Sequence, residues 1–429
     1  MKKKSSLKSL LTGSLRLSRS IRFVLAAWMA GILSVATAGT GESPSKPAVD
    51  SRERGAPTAD GIWAHFGTIM DGGNFDAAAT EDGTLFFFGS ESRIIDQNGT
   101  TLWRDPQGDS AMSWISQAPA VSVDPAGGLH AISRGQGGHR GGFELFYQYR
   151  PKDGEWRSAI RIGDKLPRNY CVGVAGIDEE LAYIVFSENY DDSPWGRVNF
   201  AAVENGEVTN YDPVYGFRID NILDFRLAGQ DRLYLAAGNN SPDGFTFFYT
   251  TKIQPTVKQT FDALRNSRLR LKPGSGRRGF PRLFPHADGS VDITMGSQTG
   301  MAFWARSQAD GALDESDFTP VFDDLGKWHL SVGISAAATL PGTDIVLVAA
   351  IRSEGGKSGQ GPLVARISYD GGESWQDEMR VTNAVRAGEG RGRVKVMAID
   401  NSFFVAYPGP GSEGTVELSR YTVDLSEIH

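Results

Sequence analysis

The sequence predicts an all-β protein, a β-propeller of seven four-stranded blades whose ring is closed by an N-terminal strand. Three observations carry this. Glycine is abundant, 52 of 429 residues or about 12% against a usual ~7%, with no Gly-X-Y period, and such an excess marks tight turns between short strands. Runs that can begin an innermost strand start near Asn74, Pro119, Cys171, Asn221, Pro281, Val332 and Val394, 45 to 62 residues apart, the length of one blade with variable loops. The unit from Val394 supplies only three strands before His429, so the fourth falls to the segment from Ile62 to Ile69. A ring closed in this way leaves no long unpaired sheet edge.

Taken in chain order, residues 1–38 read as a secretory signal peptide. Met1 to Arg22 holds seven Lys or Arg and no acid, Phe23 to Val35 is apolar, and Ala36-Thr37-Ala38 is a small-residue cleavage pattern. The apolar run falls short of the roughly 20 residues of a membrane span, so the expectation is a secreted or periplasmic protein with no membrane contact after cleavage. Residues 39–60, rich in Ser, Pro and Gly, read as a flexible leader, and residues 61–429 as a single propeller domain. The formal charge of −7 becomes −14 without the first 38 residues, which disfavours nucleic acid and anionic membranes as partners. Cys171 is the only cysteine, which excludes an internal disulfide and a Cys-based zinc site.

Two units show the blade pattern most clearly. In the second, Pro119 to Pro125, Leu129 to Ser133, Phe143 to Arg150 and Trp156 to Ile162 are four strand-like runs separated by Gly127-Gly128, by Gln136 to Gly142, and by Asp153-Gly154. In the sixth, Gly333 to Thr339, Asp344 to Ile351, Leu363 to Tyr369 and Trp375 to Val381 repeat the plan. The stretch from Thr256 to Phe280 is irregular.

Ser368-Tyr369-Asp370-Gly371-Gly372-Glu373-Ser374-Trp375 matches the Ser-x-Asp-x-Gly-x-Ser/Thr-Trp pattern of the Asp box, and Asp153-Gly154-Glu155-Trp156 and Asn98-Gly99 with Trp103 are degenerate copies. Acid and hydroxyl side chains satisfy turn amides, the glycines supply positive φ, and the tryptophan packs between sheets. On these residues the chain resembles sialidase-like propellers, where the box joins the third and fourth strands on the face away from the ligand. Its residues are therefore read as structural. The Arg-Ile-Pro motif of sialidases is absent, and those enzymes are typically six-bladed. Seven-bladed relatives in the same broad group include ulvan-lyase-like polysaccharide lyases, whose sites use His, Tyr and Arg.

The resemblance implies an acidic glycan or polysaccharide as partner and directs attention to loops on the ligand face. The second blade offers Arg134, His139 and Arg140, with His130 just before on a strand, and Tyr170 in its exit loop. The third offers Tyr190 and Arg197, then Tyr215 and Arg218. Arg282 and His286 follow near the fifth innermost strand. Uronate β-elimination gives such a set a chemistry. Arginine neutralises the carboxylate beside the carbon that loses its proton, a His or Tyr abstracts that proton, and a second Tyr or His protonates the departing oxygen. The role candidates are His130 or His139 as base, Tyr190 or Tyr215 as acid, and Arg197 or Arg218 as clamp. Arg134, Arg140, Tyr170, Arg282 and His286 are candidate substrate contacts. The scheme needs no metal and no cofactor.

Each residue also has a plain structural role open to it: His130 as a packed core residue, the glycine-flanked His139 as a loop tip, and the tyrosines as packing between sheets. Seven basic residues from Arg265 to Arg282 with no acid among them form a local contrast on an acidic chain. P-loop, nucleophile-elbow, His-Glu-x-x-His and EF-hand patterns are absent. Three classes stay open: a polysaccharide lyase, with an exo-sialidase-type hydrolase as its enzymatic alternative; a noncatalytic glycan- or protein-binding propeller; and a structural factor of the cell envelope.

Overall fold

The computed structural model describes residues 63–427, apart from the segments 72–74, 81, 90, 106–118, 136–143, 163–168, 190–195, 218–222, 240–244, 272–277, 298–299, 327–334, 354–359, 387–393 and 411–413. Seven four-stranded antiparallel sheets follow one another along the chain. With the strands of each blade labelled A to D from the innermost outward, the seven A strands are Asp76–Ala79, Ala120–Val123, Asn169–Gly176, Leu223–Ala228, Arg278–Pro285, Ser335–Thr339 and Lys395–Ile399. They begin within a few residues of the positions expected from the repeat. Blade 7 takes its D strand, Trp63–Asp71, from the other end of the chain, pairing Trp63 with Tyr421 and Asp71 with Thr415. The residues read as signal peptide and leader lie outside the described residues.

Small residues dominate where the blades crowd at the axis: Ala77, Ala78 and Ala79 in blade 1, and Ala336, Ala337 and Ala338 in blade 6. The bulkier apolar residues fill the wedges between neighbouring sheets. Phe75, Phe87, Phe404 and Leu418 pack blade 7 on blade 1, Phe86 and Leu129 blade 1 on blade 2, and Ile132, Tyr147 and Ile184 blade 2 on blade 3. Blades 3 and 4 meet at Tyr183, Phe200, Phe225 and Phe247, and blades 4 and 5 at Tyr234, Phe248 and Ile293. Blades 5, 6 and 7 share a cluster that includes Trp304, Val348, Leu363 and Phe403. Burial therefore runs around the whole ring, at about 1.5–3 kcal/mol for each large side chain removed from water.

Because A strands run away from the face on which they begin, that face also carries the B–C and D–A connections; it is called the upper face below. The lower face carries the A–B and C–D turns. The Ser368–Trp375 segment is a C–D turn of the lower face. Gly372 N donates to Ser368 Oγ at 2.8 Å and Ser374 N to Asp370 Oδ1 at 2.9 Å, which holds the Asp370 carboxyl down at about 2 through the Ser374 hydroxyl and amide and the Ser368 hydroxyl. Gly371 and Gly372 sit at φ of 70° and 90°, and a Cβ on Gly372 would stand 2.0 Å from Trp304. Trp375 meets Trp304 of the preceding blade edge to face, ring centroids 5.9 Å apart. Trp156, in the corresponding turn of blade 2, packs in the same direction, onto Phe86 and Phe88 of blade 1 at 5.9 Å from each.

Helix α1, Val257–Asn266, lies in the irregular stretch and links C to D of blade 4. Thr256 caps it by accepting from Gln259 N, and Val257, Phe261 and Leu264 form its buried stripe. Phe261 packs among Tyr183, Phe200 and Tyr211 of blade 3, so the helix seals the wedge between two blades.

Candidate functional site at the axis

Charged side chains from four A strands meet on the inner wall of the ring, in its upper half. Asp76 opens strand A of blade 1 and is 1% exposed. Its carboxylate accepts from Ala77 N and, across the blade boundary, from Val121 N, both at 3.0 Å. Asp224 in blade 4 does the same: it accepts from Phe225 N at 3.1 Å and from Leu283 N of blade 5 at 3.0 Å. Each aspartate thus staples its A strand to the next one, with the backbone amides that a narrow inner strand cannot pair on its free edge. Ser122 makes the uncharged version by accepting from Gly176 N of blade 3 at 3.0 Å.

Arg226 lies two residues beyond Asp224 and reaches past blade 3 across the channel. Its Nε donates to Asp224 Oδ1 at 3.0 Å, Nη1 to the Val121 carbonyl at 2.9 Å, and Nη2 lies 3.6 Å from Asp76 Oδ2. Lys395, which opens strand A of blade 7, pairs with Asp76 from the other side. Arg282 of blade 5 is 3% exposed and adds its charge to the same environment. Burial would raise the Asp224 carboxyl, but the charges of Arg226, Lys395 and Arg282 and the Leu283 amide outweigh it and hold the group below the usual carboxylate range. Burial also pulls the Lys395 ammonium down to about 8, against the pull of Asp76 in the opposite direction. The network forms a floor beneath the upper face. Arg226 spans the axis there, from blade 4 to blades 1 and 2.

The expected site residues divide between the two faces. Five of them, Arg134, Tyr170, Arg197, Tyr215 and Arg282, belong to described strands that start or end at the upper face or run from it. Arg282 is in the network just described. Arg197 begins strand C of blade 3 and pairs in register with Tyr215 near the end of strand D. Tyr170 is at the start of strand A of that blade and Arg134 near the end of strand B of blade 2. The side chains of Arg134, Tyr170 and Tyr215 lie outside the described residues, as do His139, Arg140, Tyr190 and Arg218 altogether.

His130 and His286 stand instead at the lower face. His130 follows the A–B turn of blade 2 by two residues and is fully buried. Its Nε2 lies 3.2 Å from Asp124 Oδ2 and its Nδ1 2.8 Å from Tyr147 Oη, so an imidazole protonated at Nε2 accepts from the phenol. With both nitrogens engaged and Gly176 packed against the ring, the residue acts as a plug between blades 2 and 3. His286 is in the A–B turn of blade 5, its Nε2 3.0 Å from Asp292 Oδ2. Asp292 also takes Arg306 Nε at 2.8 Å and Thr339 Oγ1 of blade 6 at 2.6 Å, which ties two blades together from below. The sequence places these histidines beside loops; strand direction decides which loops.

Asp76, Asp224, Arg226 and Lys395 were not among the expected residues. Their signal is a charge within a short apolar A-strand run, as in Phe75-Asp76-Ala77 and Leu223-Asp224-Phe225-Arg226, where only the channel can accommodate it. Among the described residues no group of three His, Cys, Asp or Glu could hold a metal ion, and no helix is long and apolar enough to cross a membrane.

No family model and no curated protein matches the sequence. Among solved structures, the chain is similar to an ulvan lyase, at 14% identity over 82% of this chain and 95% of that one, with a TM-score of 0.46. It is similar to a Hadza microbial sialidase at 12% identity over 79% and 73% of the two chains, TM-score 0.43. It also overlaps the Trypanosoma rangeli sialidase at 13% identity, TM-score 0.44, covering 83% of this chain but 59% of that enzyme's length. The ring itself rests on the strand pairing of this chain.

Proposed function

We propose that the chain is an exported carbohydrate-active protein that takes an acidic glycan on its upper face, and that it cleaves uronate linkages by β-elimination. The observation that carries this reading is the convergence of Arg226, Arg282 and Lys395 from three blades at the axial floor of that face, in a chain whose overall charge is −7. Three cations against the two carboxylates of Asp76 and Asp224 leave a net positive charge at the axis, which favours an anionic ligand against an unfavourable global field. In the proposed arrangement Arg197 or Arg218 clamps the uronate carboxylate, and the resulting neutralisation lets the adjacent C–H lose its proton. His139, on the B–C connection of blade 2, is the base; His130, on the other face, is not needed. Tyr190 or Tyr215 returns a proton to the departing oxygen, Arg134, Arg140 and Tyr170 hold neighbouring sugars, and Arg282 contributes its charge from the floor beneath them.

Incubating the chain lacking residues 1–38 with uronate polysaccharides tests the reaction. Absorbance near 235 nm rises if elimination leaves an unsaturated uronate, and His139→Ala lowers the rate at least about 100-fold. New reducing ends without that absorbance would mean hydrolysis, and binding without either product would leave a lectin-like propeller.

A further inference from the structure

A cavity lies on the flank of the ring, between blades 6 and 7. It is a cleft of about 310 Å³ lined by Trp63, His65, Thr382, Asn383, Tyr407 and Glu417 among others. We propose that this flank cleft is a separate binding site for one neutral sugar ring, read through the hydroxyl-matching groups of His65, Asn383, Tyr407 and Glu417.

Chain geometry builds the cleft from both sides. The D strand of blade 7 slips register between His65 and Gly67 and again between Thr68 and Met70, and Gly67 takes φ 74° at the first slip with open space where a Cβ would be. The C–D pairing of blade 6 is likewise irregular around Thr382. Bulges of this kind turn side chains out of the regular alternation. On the blade 7 wall, His65 Nδ1 lies 2.7 Å from Ser419 Oγ, which lies 3.0 Å from Tyr407 Oη. Tyr407 stands opposite Glu417 in the strand register. His65, Tyr407 and Glu417 therefore line one wall of the cleft, with the first two joined behind it through the buried Ser419. Burial raises the Glu417 carboxyl, so it gains from donors that a ligand would bring. On the blade 6 wall, Arg380 Nη1 donates to Asn383 Oδ1 at 3.2 Å, which leaves the amide N–H₂ as a donor.

The chemistry selects the ligand. One carboxylate and one guanidinium offset each other, so net charge on a ligand gains nothing. Acceptors, donors and groups that do both alternate along the walls, which suits hydroxyls, each a donor and an acceptor. Trp63, packed on Tyr421 at 5.2 Å, supplies an apolar face. The volume is at the small end of ligand pockets, about 300–1,000 Å³, and so fits one ring rather than a chain. The site is independent of the axial reading: a protein inactive on uronates would still carry it.

Ligand-observed saturation-transfer NMR tests it, with methyl glucoside, methyl galactoside and methyl mannoside as neutral probes and glucuronate and glucosamine as charged ones, titrated to about 50 mM so that millimolar affinities saturate. At least one neutral pyranoside should saturate, both charged probes should bind more weakly, and Glu417→Gln and Asn383→Ala should each weaken binding by about tenfold or more, with the thermal midpoint unchanged. Asn383 is exposed, so its variant keeps the test valid if Glu417→Gln fails to fold. No saturable neutral binding, stronger binding of a charged probe, or binding that survives both substitutions would overturn the proposal.

Discussion

Replacing Arg226 by methionine removes the guanidinium that crosses the axis and keeps most of the volume of its stem. The wild-type side chain makes a 3.0 Å bond to Asp224, a 2.9 Å bond to the Val121 carbonyl and a 3.6 Å ion pair with Asp76. Hydrogen bonds to charged groups contribute about 1.5–3 kcal/mol each, but Lys395 and Arg282 remain beside the stranded carboxylates, so the full sum overstates the loss. The cost of breaking one buried pair, about 3–5 kcal/mol, is the better estimate. The assay is the guanidinium midpoint at pH 7 for the wild type, Arg226→Met, Asp224→Asn and the double variant. Removing both charges should recover about 2 kcal/mol relative to Arg226→Met alone, because the buried carboxylate that lost its partner is gone. A cost below about 1 kcal/mol for Arg226→Met, or a double variant no more stable than the single, would refute the view of Arg226 as the tie between blades 4, 1 and 2.

Further perturbations test the rest of the ring. Gly372→Ala places a Cβ 2.0 Å from Trp304 at a φ of 90°, and calorimetry should show a loss of about 2–3 kcal/mol, whereas Gly206→Ala, with no atom nearby, costs only its backbone strain. Thr256→Ala removes the cap of α1 and should cost about 1 kcal/mol by urea titration. Asp292 is buried, which alone would raise its carboxyl, but His286 and Arg306 hold it below the ordinary carboxylate value. A depressed carboxylate gives stability that is complete above its unfolded value, about 3.9, and is lost as pH falls through the folded one. Urea midpoints should therefore show Asp292→Asn least stable relative to wild type at neutral pH, with the difference shrinking below about pH 4.

Much of the ring is legible in the sequence because its signals are local. Gly127, Gly371 and Gly372 punctuate strands whose apolar content is dense enough to mark them, and the repeat of such units shows where each A strand begins. The D strands are less legible: in blade 6 the strand runs Met379–Arg386 rather than from Trp375, because Trp375 still belongs to the turn that carries it onto Trp304. Helix α1 had a signal in Thr256-x-x-Gln259 and the spacing of Val257, Phe261 and Leu264, concealed by basic residues next to it. At the site, residue type alone suggests His130 and His286 as readily as His139. Only strand direction separates the faces, and only the closed ring brings Asp76 near Arg226, 150 positions later in the chain.

Hydrogen–deuterium exchange of the chain lacking residues 1–38, with and without a saturating uronate oligosaccharide, tests most directly where an acidic glycan sits. Protection should appear in segments 136–143, 190–195 and 218–222 and at the starts of the A strands at Asp76, Leu223 and Lys395, while the A–B turns at Asp124–Gly128 and His286–Ser290 stay unchanged. Protection at those turns, or none on the upper face, would contradict the placement of the site above the Arg226 floor.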